Sequence, residues 1–161
     1  MKRSLTLGEW SSLSAGLAAA LRDAGAKPRI VPRAHPGARI SALWRDKTPI
    51  LTRGDDIFWP GAPKDMSAPG QENFMAVLQH ELQHVLDYAE GRLTAAAYLG
   101  RPRNWIYAYT LKPGSRWNDF GAEQRASIVE ALWWLERGDD PEKLEQHRKL
   151  VPWARRGHRQ A

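Results

Sequence analysis

The segment His80-Glu81-Leu82-Gln83-His84 constrains this chain more than any other. It lies within residues 71–90, where apolar side chains recur at helical spacing and Gly91 supplies a stop. On a helix, residues four apart stand one turn apart on one face, so His80 and His84 can turn two imidazoles towards one point. The spacing predicts a helix with three faces. Phe74, Leu78, Leu82, Val85, Leu86 and Ala89 form a core face, and Glu72, Gln79, Gln83, Asp87 and Glu90 form a narrow wet strip. The histidines fall on a third face, mixed with Val77, Glu81 and Tyr88. A buried metal site requires that placement, away from both the greasy side and the solvated side.

The pattern H-E-x-x-H on a helix predicts zinc as the cofactor, with His80 and His84 as ligands and Glu81 as general base. Zinc lowers the pKa of a bound water from about 15.7 to about 7, which supplies a nucleophile at neutral pH. The chain contains no cysteine. A thiolate zinc site, an iron–sulfur cluster and a thiol nucleophile are therefore excluded, and the remaining ligand must be histidine, carboxylate or water. The metzincin pattern requires Gly and His soon after the second histidine, but the next histidine here is His147. A carboxylate from a later helix is the remaining common solution. The second strong helical run covers about residues 122–137, where Glu123, Ser127, Glu130 and Trp134 share a face. Glu123 is the preferred third ligand, because a first-turn carboxylate is also favoured by the helix dipole; Glu130 is its competitor.

The rest of the chain predicts an α+β domain over residues 1–146. Thr6 with Glu9 three residues on has capping-box spacing and opens a first helix that Gly25 ends. Residues 40–44, 50–52 and 57–59 read as short strands, the last two joined by the turn Arg53-Gly54-Asp55. These give a small N-terminal antiparallel sheet packed on the histidine helix, ahead of a helical C-terminal half. An edge strand of that hairpin can hold a substrate backbone by strand addition. Residues 105–111 alternate as a strand or extended loop, and Tyr107 and Tyr109 within it are candidate catalytic donors to a developing oxyanion, with Arg116 as a further candidate.

Of 161 residues, 42% are hydrophobic and 26% charged, a globular balance. No apolar run approaches the 18 or so residues of a membrane span. Met1-Lys2-Arg3 begins like a signal peptide, but Glu9, Ser11, Ser12 and Ser14 break the apolar region that would have to follow, so the chain is expected without a cleaved signal and cytoplasmic as synthesised. The net charge is +6, and residues 147–161 hold five basic side chains and no acid. The body is nearly neutral, which makes nucleic acid an unlikely partner for it, and residues 147–161 read as a basic C-terminal tail.

Residues 78–88, Tyr107-Ala108-Tyr109 and residues 120–130 together resemble the small zincin-like metallopeptidases known as Vgr-related proteins. These bacterial proteins often occur near Rhs or contractile-injection components. The resemblance covers about residues 5–137. It implies a gluzincin-type site with His80, His84 and Glu123 on zinc and Glu81 as base. It supplies no substrate of its own; the peptidase reading makes a peptide or protein the expected one, and the group's setting adds a secretion-system role and export by an injection machine as open alternatives. The group often carries an acid where this chain has Ala131, and thermolysin-like gluzincins place an Asp where it has Ser127. Two other readings follow from the same residues. One is a catalytically silent zincin module of a secretion or toxin system. The other is a binder of polyanions or nucleic acid through the basic tail.

Overall fold

Helix formation at residues 72–89 organises everything around it. The computed structural model describes residues 1–14, 16–36, 49–100 and 102–157. In chain order they form β1 (Arg3–Ser4), α1 (Leu7–Ser11), α2 (Leu17–Asp23), β2 (Arg29–Val31), β3 (Leu51–Arg53), β4 (Asp56–Phe58), α3 (Glu72–Ala89), α4 (Ala95–Gly100), α5 (Ala122–Leu135), α6 (Pro141–Leu150) and α7 (Ala154–Gly157). Short 3-10 turns cover Pro102–Trp105 and Trp117–Asp119. The class is α+β. The strand expected at residues 40–44 lies outside the described residues. No helix among those described is long and apolar enough to cross a membrane.

The sheet order is β1-β2-β4-β3. It is mixed rather than purely antiparallel: β1–β2 and β3–β4 run antiparallel, whereas β2 and β4 run parallel. The long connection from β2 through β3 brings β4 back alongside β2, and that crossover makes the central pair parallel. Ile30 pairs with Ile57, and Ile57 with Thr52. Side chains paired across strands share a face, so Thr52 stands on the side where Ile30 and Ile57 are buried. β3 is terminal in the sheet among the described residues.

The wet strip survives only at the two ends of helix α3, where Glu72 and Glu90 are exposed. Gln79, Gln83 and Asp87, expected in water, are completely buried. Each is placed by partners from distant segments. The Ser14 amide donates to Gln79 Oε1 at 3.1 Å, and the Trp153 indole donates to Gln83 Oε1 at 3.2 Å. Gln83 Nε2 donates to Asp87 Oδ1 at 2.9 Å, and Asp87 Oδ2 accepts from Arg125 at 2.7 and 3.1 Å. A helix wheel registers polarity but not partners, and buried polar groups survive when paired. The helix is therefore enclosed by the sheet, by α5 and by the first and last segments of the chain.

The N-terminal helix is two helices. Thr6 and Glu9 form the expected capping box, with Oγ1 of Thr6 accepting from the Glu9 amide at 3.0 Å and the Thr6 amide donating to the Glu9 carboxylate at 2.8 Å. The path then breaks before α2, where Gly16 takes a left-handed φ of 86°. A β-carbon there would lie 2.7 Å from the Trp153 carbonyl oxygen. Glycine permits both the backbone turn and the close approach of the C-terminal segment.

That approach changes the reading of residues 147–161. His147, Leu150, Val151, Trp153 and Ala154 are buried, and the last four belong to the main apolar cluster with Leu17, Leu82 and Leu132. Helix α6 is longer than the short final helix expected. It starts as predicted at Asp140-Pro141, with the Asp140 carboxylate accepting from the Lys143 amide at 3.0 Å.

Candidate metal centre

Two packed helices supply the candidate ligands. Helix α3 carries His80 and His84 one turn apart, with ring centroids 5.1 Å apart. Helix α5 brings its first-turn Glu123 against them. Glu123 Oε2 lies 3.0 Å from His80 Nε2 and 3.3 Å from His84 Nε2. All three residues are buried, and one donor atom from each falls within 4.8 Å of the others. Tetrahedral zinc with bonds of about 2.0–2.2 Å has neighbouring ligand atoms roughly 3.4 Å apart. The two nitrogen–oxygen separations are close to that edge. Two imidazole nitrogens and one carboxylate oxygen also form a donor set suited to zinc.

Glu130 has a different place from the one expected of a competitor. Its Oε2 lies 3.2 Å from Nδ1 of His80, the ring nitrogen pointing away from Glu123. A carboxylate there fixes the ring orientation and favours the tautomer with a free Nε2 lone pair. Glu130 itself thus backs His80. Nδ1 of His84 is buried without a hydrogen-bond partner.

Glu81 is buried beside the pair, and the Thr52 hydroxyl donates to its Oε2 at 2.7 Å. Strand β3 therefore orients the carboxylate from the sheet side. Tyr107 reaches the cluster, its ring stacked on His80 with centroids 5.9 Å apart and planes 19° apart. It is 55% exposed, and Trp105 and Ile106 beside it are about half exposed. Of the two alternatives for residues 105–111, strand or extended loop, residues 106–111 take the loop, and side chains tie it down. Gln124 Nε2 donates to the Ala108 carbonyl at 2.7 Å, and Tyr109 Oη pairs with His147 Nε2 at 3.0 Å. Tyr109 is thus directed to His147 rather than into the cluster, and Arg116 pairs with Asp119 at an exposed turn. Tyr98, from α4, was not singled out by sequence; its hydroxyl donates to Glu123 Oε1 at 2.5 Å.

Burial opposes a charged His80, but hydrogen bonds to Glu123 and Glu130 and the charge of Glu81 outweigh it and push its pKa up to about 10. Burial likewise disfavours an ionised Glu123, yet hydrogen bonds from His80, His84 and Tyr98 hold its carboxyl well below the usual range. For Tyr98, burial and the neighbouring Glu123 charge both push the phenol up, so it remains a donor. The site is arranged around one central positive charge, which a proton or a metal cation can provide.

A stability profile tests this charge demand. In chelator-treated protein, folded His80 keeps a proton that the unfolded chain releases near pH 6.5. The folded state then binds more protons, so stability should fall as pH rises from about 6.5 to 10. Added zinc should abolish that slope by displacing the proton. Thermal melts across this window check the sign, and a flat metal-free profile would show that His80 is not held charged.

The chain matches no family model, no curated protein and no solved structure.

Proposed function

We propose that this chain is a zinc-dependent hydrolase, a metallopeptidase of gluzincin type acting on a peptide or protein substrate. One observation carries the reading. A single oxygen of buried Glu123 lies within 3.3 Å of Nε2 of both His80 and His84. Bound zinc would supply Lewis acidity, activating water and polarising a carbonyl.

The chain's own residues account for the remaining steps. Glu81 sits next to His80 and is oriented by Thr52. Its carboxylate takes the proton of the attacking water and returns it to the leaving amine. Glu130 holds the His80 ring through Nδ1. Strand β3 lies beside α3 with Thr52 facing Glu81, so an extended substrate paired to that strand would run past the base. Tyr107, partly exposed and stacked on His80, would be the tyrosine to meet a substrate oxygen, and that stacking supports the reading.

Metal analysis tests the proposal. Purified protein should carry about one zinc per chain. His84→Ala should lose it, and Glu123→Gln should weaken it markedly, since each removes a central donor. Glu130→Gln should weaken zinc less, because it acts through His80. Full zinc retention in His84→Ala would refute the site. A fold that binds zinc without turnover shares this site and differs only in the cleavage assay; membership of an injection system rests on the resemblance to Vgr-related proteins.

A further inference from the structure

We infer that Tyr98 is a positioning residue that divides the two oxygens of Glu123, holding Oε1 back so that the metal is met by Oε2 alone. This rests on the metal-site reading above. A carboxylate can grip a cation with one oxygen or two. Here the two oxygens have separate partners. Oε2 faces both imidazoles, at 3.0 and 3.3 Å, whereas Oε1 accepts from the Tyr98 hydroxyl. A second metal bond from Oε1 would have to compete with that hydroxyl, which holds one of the oxygen's two lone pairs and with it the orientation of the carboxylate. With one oxygen engaged, the chain supplies three donor atoms and leaves a fourth position open, as hydrolysis at zinc requires. With both engaged, Glu123 itself would crowd that position.

The hydroxyl is delivered by a braced element. Helix α4 is short, but Asn104 is buried and bridges it to the ligand helix: its Nδ2 donates to the Ala97 carbonyl at 3.0 Å and its Oδ1 accepts from the Ala122 amide at 3.2 Å. The Trp105 indole donates to the Tyr98 carbonyl at 3.0 Å. The Tyr98 ring meets His84 edge-on, with centroids 6.5 Å apart. Tyr98 and Glu123 are therefore held in register by residues that touch neither ligand nitrogen.

The test uses full-length protein loaded with Co2+, whose visible spectrum reports coordination number. Wild type should take up one Co2+ and show the intense absorption of a four-coordinate ion. Tyr98→Phe removes one oxygen and keeps the ring. It should bind Co2+ about 10–100-fold more weakly, with the weaker band of a five-coordinate ion as Oε1 joins the metal. Melts of the metal-free proteins show whether Tyr98→Phe is folded before the metal is added. Wild type that takes up no Co2+ would remove the metal-site reading itself. A wild-type spectrum in Tyr98→Phe would overturn the inference alone. That holds even if affinity fell, since Tyr98 would then only brace α4.

Discussion

Glu81→Gln should keep its zinc and lose peptide hydrolysis by about 10²–10⁴-fold in kcat. Glu81 is not one of the three central donors. Glutamine is nearly isosteric, and its amide oxygen can still accept from the Thr52 hydroxyl that now binds Glu81 Oε2 at 2.7 Å. Fold and metal are thereby preserved while the proton acceptor is removed. The assay compares zinc content and cleavage of a broad peptide library, with a chelator control. Chelator-sensitive cleavage that disappears in the variant supports a peptidase with this base. Equal cleavage in both proteins would assign the base elsewhere. Silence in both, with zinc bound, would favour the module without turnover.

Trp153→Ala should destabilise the protein by about 3–5 kcal/mol, the usual loss for truncating a buried aromatic. In a chain of this size that is a fall in melting temperature on the order of 10 °C. The indole is buried, and its Nε1 donates to the wholly buried Gln83 Oε1 at 3.2 Å. Truncation would open a cavity and strand that acceptor in the interior. Denaturant melts at fixed metal content measure the effect. A loss below about 1 kcal/mol would mean that the C-terminal segment contributes no more than a surface tail does.

The residues that sequence could reach are those whose relation is local. His80, Glu81 and His84 declare themselves because a four-residue spacing is one helical turn. Glu123 could be picked out because a first-turn acid is an electrostatic preference of the helix itself. Thr6 and Glu9 were legible for the same reason, as a motif closed within one turn. The supporting residues are bound by tertiary contacts and had no such signature. Thr52 reaches Glu81 only through the strand register, Tyr98 reaches Glu123 from a short separate helix, and Glu130 meets His80 across an interface. Polarity alone also misplaced Gln79, Gln83 and Asp87, which are held by Ser14, Trp153 and Arg125. Net charge drew attention to Arg148, Lys149 and Arg155, while the apolar residues among them, Leu150, Val151 and Trp153, decide where the segment goes.

The buried ion pair between Asp87 and Arg125 bears on how a metal would arrive. Arg125 lies two residues beyond Glu123 on α5, and Asp87 lies three beyond His84 on α3. The guanidinium also donates to the Phe120 carbonyl at 2.9 Å, just before α5 begins. One clamp thus fixes the axial offset and rotation of both ligand-bearing helices, using no atom of the site. The donors are preorganised by the scaffold, so little conformational entropy remains to be lost when an ion enters. Metal capture in such a frame would be rigid docking rather than coupled folding, unlike the small zinc domains that take shape only around their ion.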